Sequence, residues 1–263
     1  MTATAIPAQK AAGLFRWNAA LALLHLLQGI AIMAISFAKD PVVTSPVVGT
    51  YLRYDTDART LVTAQRGIWD MPIGPAVAIF FFMSALAHFS MAFLIRRRYE
   101  GWLARGLNPI RWVEYSFSSS VMIVVIAALA GVQEVGTLIA IFGVNACMIL
   151  FGALQEKYEE PGKPSWIPFW FGCFAGIIPW IAIAIYVWAP GLSVSPPGFV
   201  YGIIASLFVF FNCFAINMVL QYKQVGPWRD YLFGEKIYIL LSLTAKALLA
   251  WQVFFPVLAS SQF

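Results

Sequence analysis

One lysine stands where a lysine is expensive. Leu241-Ser242-Leu243-Thr244-Ala245-Lys246-Ala247-Leu248-Leu249-Ala250-Trp251-Gln252 is apolar on both sides of Lys246. It belongs to a run long enough to cross a bilayer, and Lys246 falls about halfway along it. A lysine at the centre of such a helix costs roughly 2.5–3.5 kcal/mol. From that depth its stem does not easily carry the ammonium to the interface. Two chemistries account for it. The amine can pair with a buried carboxylate, for structure or ion transport. It can also add to an aldehyde, because an amine in an apolar pocket forms a Schiff base. Position alone leaves both open.

A carboxylate is present. Asn108-Pro109-Ile110-Arg111-Trp112-Val113-Glu114-Tyr115 opens the third apolar run, and Glu114 reads as the only acid well inside a run. Helical side chains lean towards their own N-terminus, so Lys246 leans towards the depth of Glu114. Ser242, four residues before Lys246, shares its face. The only two histidines are His25, with Gln28 three residues on, and His88, with Ser84 four residues before it. Each alone reads as an interhelical hydrogen-bonding residue. Together, near the level of Glu114, they read as a shared polar pocket that can take a proton. Cys147, Cys173 and Cys213 all fall in apolar stretches without metal-ligand spacing, and read as small buried hydrophobes.

These side chains need a membrane scaffold. Of 263 residues, 61% are hydrophobic and 11% charged, against about 25% charged in a soluble domain. Apolar runs of bilayer length recur at about Trp17–Ala38, Pro75–Ile95, Pro109–Ala130, Val135–Leu154, Trp166–Trp188, Phe199–Tyr222 and Glu235–Leu258. The expectation is one all-α membrane domain over residues 1–263, a bundle of seven transmembrane helices. The first run is too long for a signal peptide and six more follow, so it reads as uncleaved. Pro75 and Pro109 fall in first turns, where a missing N–H does no harm; Pro179 lies inside the fifth run, where it is expected to kink the helix.

Loop charge orients the bundle. Lys10, Arg16, Arg96, Arg97, Arg98, Arg105, Arg111, Lys157, Lys163, Lys223, Arg229 and Lys236 fall on one side. Lys39, Arg53, Arg59 and Arg66 fall on the other. The first side is expected to be cytoplasmic, with the N-terminus inside and the C-terminus outside. The net charge of +5 is spread over helix ends, which is no nucleic-acid footprint. The long connection from Lys39 to Gly74 carries two β-prone runs, Val47–Tyr54 and Arg59–Gln65, around the polar turn Asp55–Ala58. It reads as an extracellular hairpin that leans on the helices or on another subunit.

Seven helices, a lysine midway along the seventh and a carboxylate in the third resemble a microbial retinal protein. The inside N-terminus, Arg111-Trp112-Val113-Glu114-Tyr115, Ser242-Leu243-Thr244-Ala245-Lys246, His25, His88 and the long first extracellular loop resemble the heliorhodopsins, over nearly the whole chain. The resemblance implies covalently bound retinal on Lys246, all-trans in the dark, with Glu114 as counterion. It implies Ser119 and Ser242 beside the Schiff base. His25, His88, Gln28, Ser84, Tyr99, Asn108 and Trp251 would line a hydrated cytoplasmic cavity. Met122, Asn145, Met148 and Gly152 would help line the chromophore pocket; Asn145, Met148 and Gly152 share a helix face. Phe210 and Phe214 could flank a polyene or simply pack the core. Trp166, Phe169, Trp170, Trp180 and Trp188 read as interfacial belt or pocket wall. Gly172-Cys173-Phe174-Ala175-Gly176 is a GxxxG pattern, and the dimers the resemblance implies favour its reading as an interface.

The function expected is light reception, a photochemical event rather than enzymatic turnover, with an unidentified signalling partner on the cytoplasmic side. The alternative is a light-driven pump or light-gated channel. A pump needs proton carriers on both sides of the amine. Beyond Glu114 the third run offers Met122, Val124 and Val125, and the acids Asp40, Asp55, Asp57, Asp70 and Glu134 fall outside the spans or at their edges.

Overall fold

The computed structural model describes residues 6–38, 42–188 and 198–259. Lys39 and Asp40 therefore lie outside the described residues. The order is α1 (Ala8–Phe37), β1 (Thr44–Asp55), β2 (Thr60–Pro72), α2 (Ile73–Phe89), a π-turn (Ser90–Leu94), α3 (Arg96–Leu103) and α4 (Pro109–Leu129). It continues with α5 (Val135–Tyr158), α6 (Ile167–Trp188), α7 (Gly198–Tyr222), a 3-10 turn (Gly226–Arg229) and α8 (Tyr231–Ala259). Among the described residues seven helices are long and apolar enough to span a bilayer, and the chain is a multi-pass membrane protein. All seven expected runs are present, though the first and last begin nine and four residues earlier than hydropathy suggested.

Each span starts where its chemistry allows. Asn108 caps α4 by accepting from the Arg111 amide at 3.1 Å, with Pro109 at the first helical position. Glu134 caps α5, accepting from the Thr137 amide at 2.6 Å and its hydroxyl at 3.0 Å. The Thr137 amide, then the Gly136 amide and the Thr137 hydroxyl, hold its carboxyl below the usual value. Helix α6 runs on through Pro179.

Neighbours in sequence are mostly neighbours in space: α1 packs on α2, α2 on α4, α4 on α5, α5 on α6 and α7 on α8. Helix α6 meets α7 through long aromatic side chains, with Trp180 edge-on to Phe208 and Phe211 at 5.2 and 5.5 Å between centroids. The bundle thus has two ends. The N-terminal face carries α3, the 3-10 turn and the starts of α1, α4, α6 and α8; the hairpin face carries β1 and β2.

The hairpin is longer than expected. Its antiparallel register runs from Thr44↔Pro72 to Asp55↔Thr60, with a bulge at Val47/Val48. The Asp55 carboxylate accepts from the Asp57 and Ala58 amides and shapes the turn. Val47 and Met71 bury their side chains in the core, and the Val48 amide donates to the Gln133 carbonyl at 2.9 Å. That contact fastens the foot of the hairpin to the α4–α5 connection, while Tyr51, Leu52, Tyr54 and Leu61 stand exposed farther out.

Candidate functional site

Helix α8 carries Lys246 into the middle of the bundle, where it is 2% exposed. Its ammonium donates to the Ser242 hydroxyl at 2.8 Å and to Glu114 Oε1 at 2.9 Å. Ser242 is one turn earlier on α8, and Glu114 is in the second turn of α4. The same Glu114 oxygen accepts from the Ser84 hydroxyl of α2 at 2.6 Å. One carboxylate therefore ties three helices, and the buried cation has its anion. Removing either partner of such a pair leaves a buried charge uncompensated.

The histidines stand next to this anion. Ser84 and His88 lie four residues apart on one face of α2. His88 stacks on His25 of α1, with centroids 5.6 Å apart and planes 7° from parallel. Asn18 of α1 donates from its amide nitrogen to the Leu14 carbonyl at 2.9 Å, which turns its oxygen to His88 Nδ1 at 2.8 Å. An amide oxygen only accepts, so that His88 nitrogen carries a hydrogen. Both ring nitrogens of His25 are buried without a hydrogen-bond partner. Tyr99 of α3 is buried and its hydroxyl accepts from Asn18 at 3.5 Å. No group of three or more potential metal ligands occurs among the described residues.

On its other side Lys246 faces an apolar void. A cavity of about 50 Å³ is lined by Tyr115, Ser118, Ser119, Met122, Met148, Ile149, Phe211, Phe214, Ser242 and Lys246. A second, of about 180 Å³, shares Tyr115, Met148, Ile149, Phe211 and Phe214 with it and extends along Gly152, Gly172, Gly176 and Trp180 between α5, α6 and α7. Glycine keeps that space open: a Cβ at Gly152 would stand 2.6 Å from the Trp112 ring. Gly172 and Gly176 of the GxxxG pattern pack against Met148 of α5, so their close approach is spent inside the chain.

Several expectations shift on this geometry. Ser119 lines the small cavity but donates to the Tyr115 carbonyl and accepts from Asn145, without touching Lys246. Asn145 also donates to Ser120, so it fastens α5 to α4 behind the cavity wall. Phe214 lines both cavities and Phe210 neither; Phe211 takes that place, because Leu207, Phe211, Phe214 and Met218 form the inward stripe of α7. Trp251 is 45% exposed and does not reach the histidine pocket. Five residues past Lys246, it lies about 140° round α8 and roughly 7.5 Å nearer the hairpin face. Gln28 is half-buried, with no hydrogen bond to either histidine. Trp180 is pocket wall, whereas Trp170 and Trp188 are exposed.

A second charged cluster was not foreseen. Arg111, counted above as a loop charge, is 3% exposed and ion-paired with both Glu156 of α5 and Glu235 of α8. Glu114 is thus not the only acid buried in a span. Asn108 belongs here, donating from its side chain to Glu235 at 2.5 Å and from its amide to Glu156 at 2.7 Å. The Trp112 indole and the Tyr231 hydroxyl also donate to Glu156, at 2.7 and 2.9 Å. The guanidinium lies 4.1 Å from the Tyr238 ring centroid and 4.6 Å from that of Trp112. A sequence signal existed: Arg111 is one turn from Glu114, too far along α4 to be a free loop charge.

A seven-helix membrane bundle with a buried, carboxylate-paired lysine at the head of an aromatic-lined cavity defines the rhodopsin class. The chain belongs to the heliorhodopsin family, whose model matches residues 14–258, and no curated protein matches it. It is a light-sensing rhodopsin with retinal as its chromophore. The residues present fit that group: a primary amine at one end, a carboxylate and a hydroxyl beside it, and a narrow void lined by Met122, Met148, Phe211, Phe214 and Trp180.

Proposed function

We propose that this protein is a photoreceptor that binds retinal covalently through Lys246 and returns the proton it releases instead of transporting it. The observation that carries the reading is Lys246 itself, held between Glu114 and Ser242 on one side and the apolar cavity on the other. Retinal bound there, all-trans in the dark, supplies light absorption and a change of shape. The protein's residues do the rest. Glu114 holds the proton at Lys246 Nζ in the dark by its negative charge, and Ser242 fixes the direction of that bond. Ser84 shares the Glu114 oxygen and orients the carboxylate towards α2. His25 and His88 form the proton-accepting pocket beyond it, with the unprotonated, unpartnered ring nitrogen of His25 as the vacant acceptor.

The path is one-sided. Among the described residues, no buried Asp, Glu, His, Lys or Arg lies between Lys246 and the hairpin face. That half is closed by Val77, Ile126, Val132, Ile183 and Ile203. The polar groups there, such as the Ser206–Gln252 pair, are neutral; a proton crossing that half without an ionisable relay meets a cost of several kcal/mol, so the way back is the easier way out. The excess of bases at the N-terminal face supports a cytoplasmic placement of that end, where a signalling partner would dock. Pairing of two copies through the outer hairpin would cover its exposed side chains. The test is illumination of cells that make the protein with retinal, while membrane current and external pH are recorded. A transient that returns to baseline is expected. A sustained current, or a steady pH change abolished by a protonophore, overturns the reading.

A further inference from the structure

Helix α3 is eight residues long, too short to span a bilayer, and it follows the apolar α2 after the π-turn Ser90–Leu94. Its inner face is fixed: Tyr99 and Leu103 are buried with Leu14 and Met91. Its outer side carries Arg97, Arg98 and, two residues beyond the helix end, Arg105, all exposed. Among the described residues no carboxylate lies within ion-pair distance of these three. Arg96 differs, since Glu100 takes its charge at 2.8 Å. Immediately before α3, Phe89, Phe93 and Leu94 are exposed on the outside of the bundle. Phe93 meets Phe89 at 4.9 Å and Phe15 of α1 at 5.4 Å, so the apolar side chains form a continuous wall.

We propose that this surface is a binding site for anionic phospholipid, with acyl chains on Phe15, Phe89, Phe93 and Leu94 and the phosphate held by Arg97, Arg98 and Arg105. The wall belongs to a span and faces hydrocarbon; the guanidiniums stand where that span ends. A lipid joins both chemistries within one molecule. A soluble protein would meet the arginines and leave the wall untouched. Guanidinium is the side chain best matched to phosphate, through paired N–H donors. The inference does not rest on light reception, because it uses neither Lys246 nor its cavity.

The test uses the full chain in phosphatidylcholine vesicles, with spin-labelled phosphatidylglycerol and phosphatidylcholine as probes and their relative association measured by electron spin resonance. Phosphatidylglycerol is expected to be favoured, by at most about fivefold for each arginine. Arg97→Gln with Arg98→Gln and Arg105→Gln should bring the ratio close to one, while Lys157→Gln with Lys163→Gln and Lys223→Gln, on the same face, should leave most of it. Replacing chloride by inorganic phosphate at equal ionic strength should not displace the lipid. No preference in the unaltered protein overturns the proposal, as do equal losses in the two triple variants or displacement by phosphate. If the arginine variant does not fold, Arg97→Lys, Arg98→Lys and Arg105→Lys should fold with a preference reduced but above one; an undiminished preference would discard the paired-donor site.

Discussion

His25 lies flat on His88, 5.6 Å away, yet only His88 has a hydrogen-bond partner in the protein. The two rings are therefore unequal. Asn18 commits one nitrogen of His88, while His25 has two buried nitrogens with nothing to bind. Replacing both residues by phenylalanine keeps the stacked volume and removes the proton acceptors. Proton transfer from Lys246 Nζ, followed by flash spectroscopy, should slow on the order of a hundredfold. Unchanged kinetics would move the acceptor elsewhere.

Lys246→Ala should give a colourless protein in the presence of retinal. No other buried primary amine faces the cavity among the described residues. A visible pigment in that variant, measured by absorption of the purified protein, would rule out the attachment.

Glu114→Gln removes the anion 2.9 Å from Lys246 Nζ. Excitation moves positive charge away from that nitrogen, so the lost anion should shift the visible band to the red in acid, where the proton stays. In alkali the band should fall into the ultraviolet. An absorption titration that matches the unaltered protein would remove Glu114 as counterion.

Arg111→Met leaves Glu156 and Glu235 buried without their cation. Breaking a buried ion pair from one side costs about 3–5 kcal/mol. The variant should denature at markedly lower temperature in detergent. Adding Glu156→Met and Glu235→Leu should recover much of the loss, since apolar replacement of a whole buried cluster is often neutral. A single variant as heat-stable as the original would mean that the cluster carries little stability.

Gly152→Ala brings a Cβ to 2.6 Å from the Trp112 ring. That ring cannot easily give way, because its indole donates to Glu156 at 2.7 Å. Overpacking of this kind costs about 1–3 kcal/mol. Retinal uptake should be slower and the pigment less heat-stable. Uptake and melting equal to those of the unaltered protein would show that the cavity wall is looser than its geometry.

Much of this was legible in the chain. Lys246 and Glu114 stood out because charge inside an apolar run is rare, and rarity survives folding. The hairpin was legible as two β-prone runs, but not its length, because Trp69-Asp70-Met71 pairs with Ser45-Pro46-Val47 only through the register, past the bulge at Ile68. Helix α3 was hidden by its arginines, which read as loop charge; the Tyr99 and Leu103 spacing was the overlooked sign. The Arg111 cluster was hidden by distance, since its acids lie 45 and 124 residues away in sequence. Of the two readings open for Phe210 the packing one holds, and the cavity position falls to Phe211, 100° further round the helix.

The π-turn Ser90–Leu94 sits between His88 and α3, and its ladder closes with the Ile95 amide on the Ser90 carbonyl. A wide turn stores one residue more than the α-helix on either side of it. The span therefore carries slack at the point where it leaves the bundle. That slack can migrate as single amides exchange one carbonyl for the next, with no span broken. A movement of one residue's rise, about 1.5 Å, can be absorbed there or passed on. Helix α2 is in that sense a rod with a slip joint, and the joint lies on the surface side of its histidine.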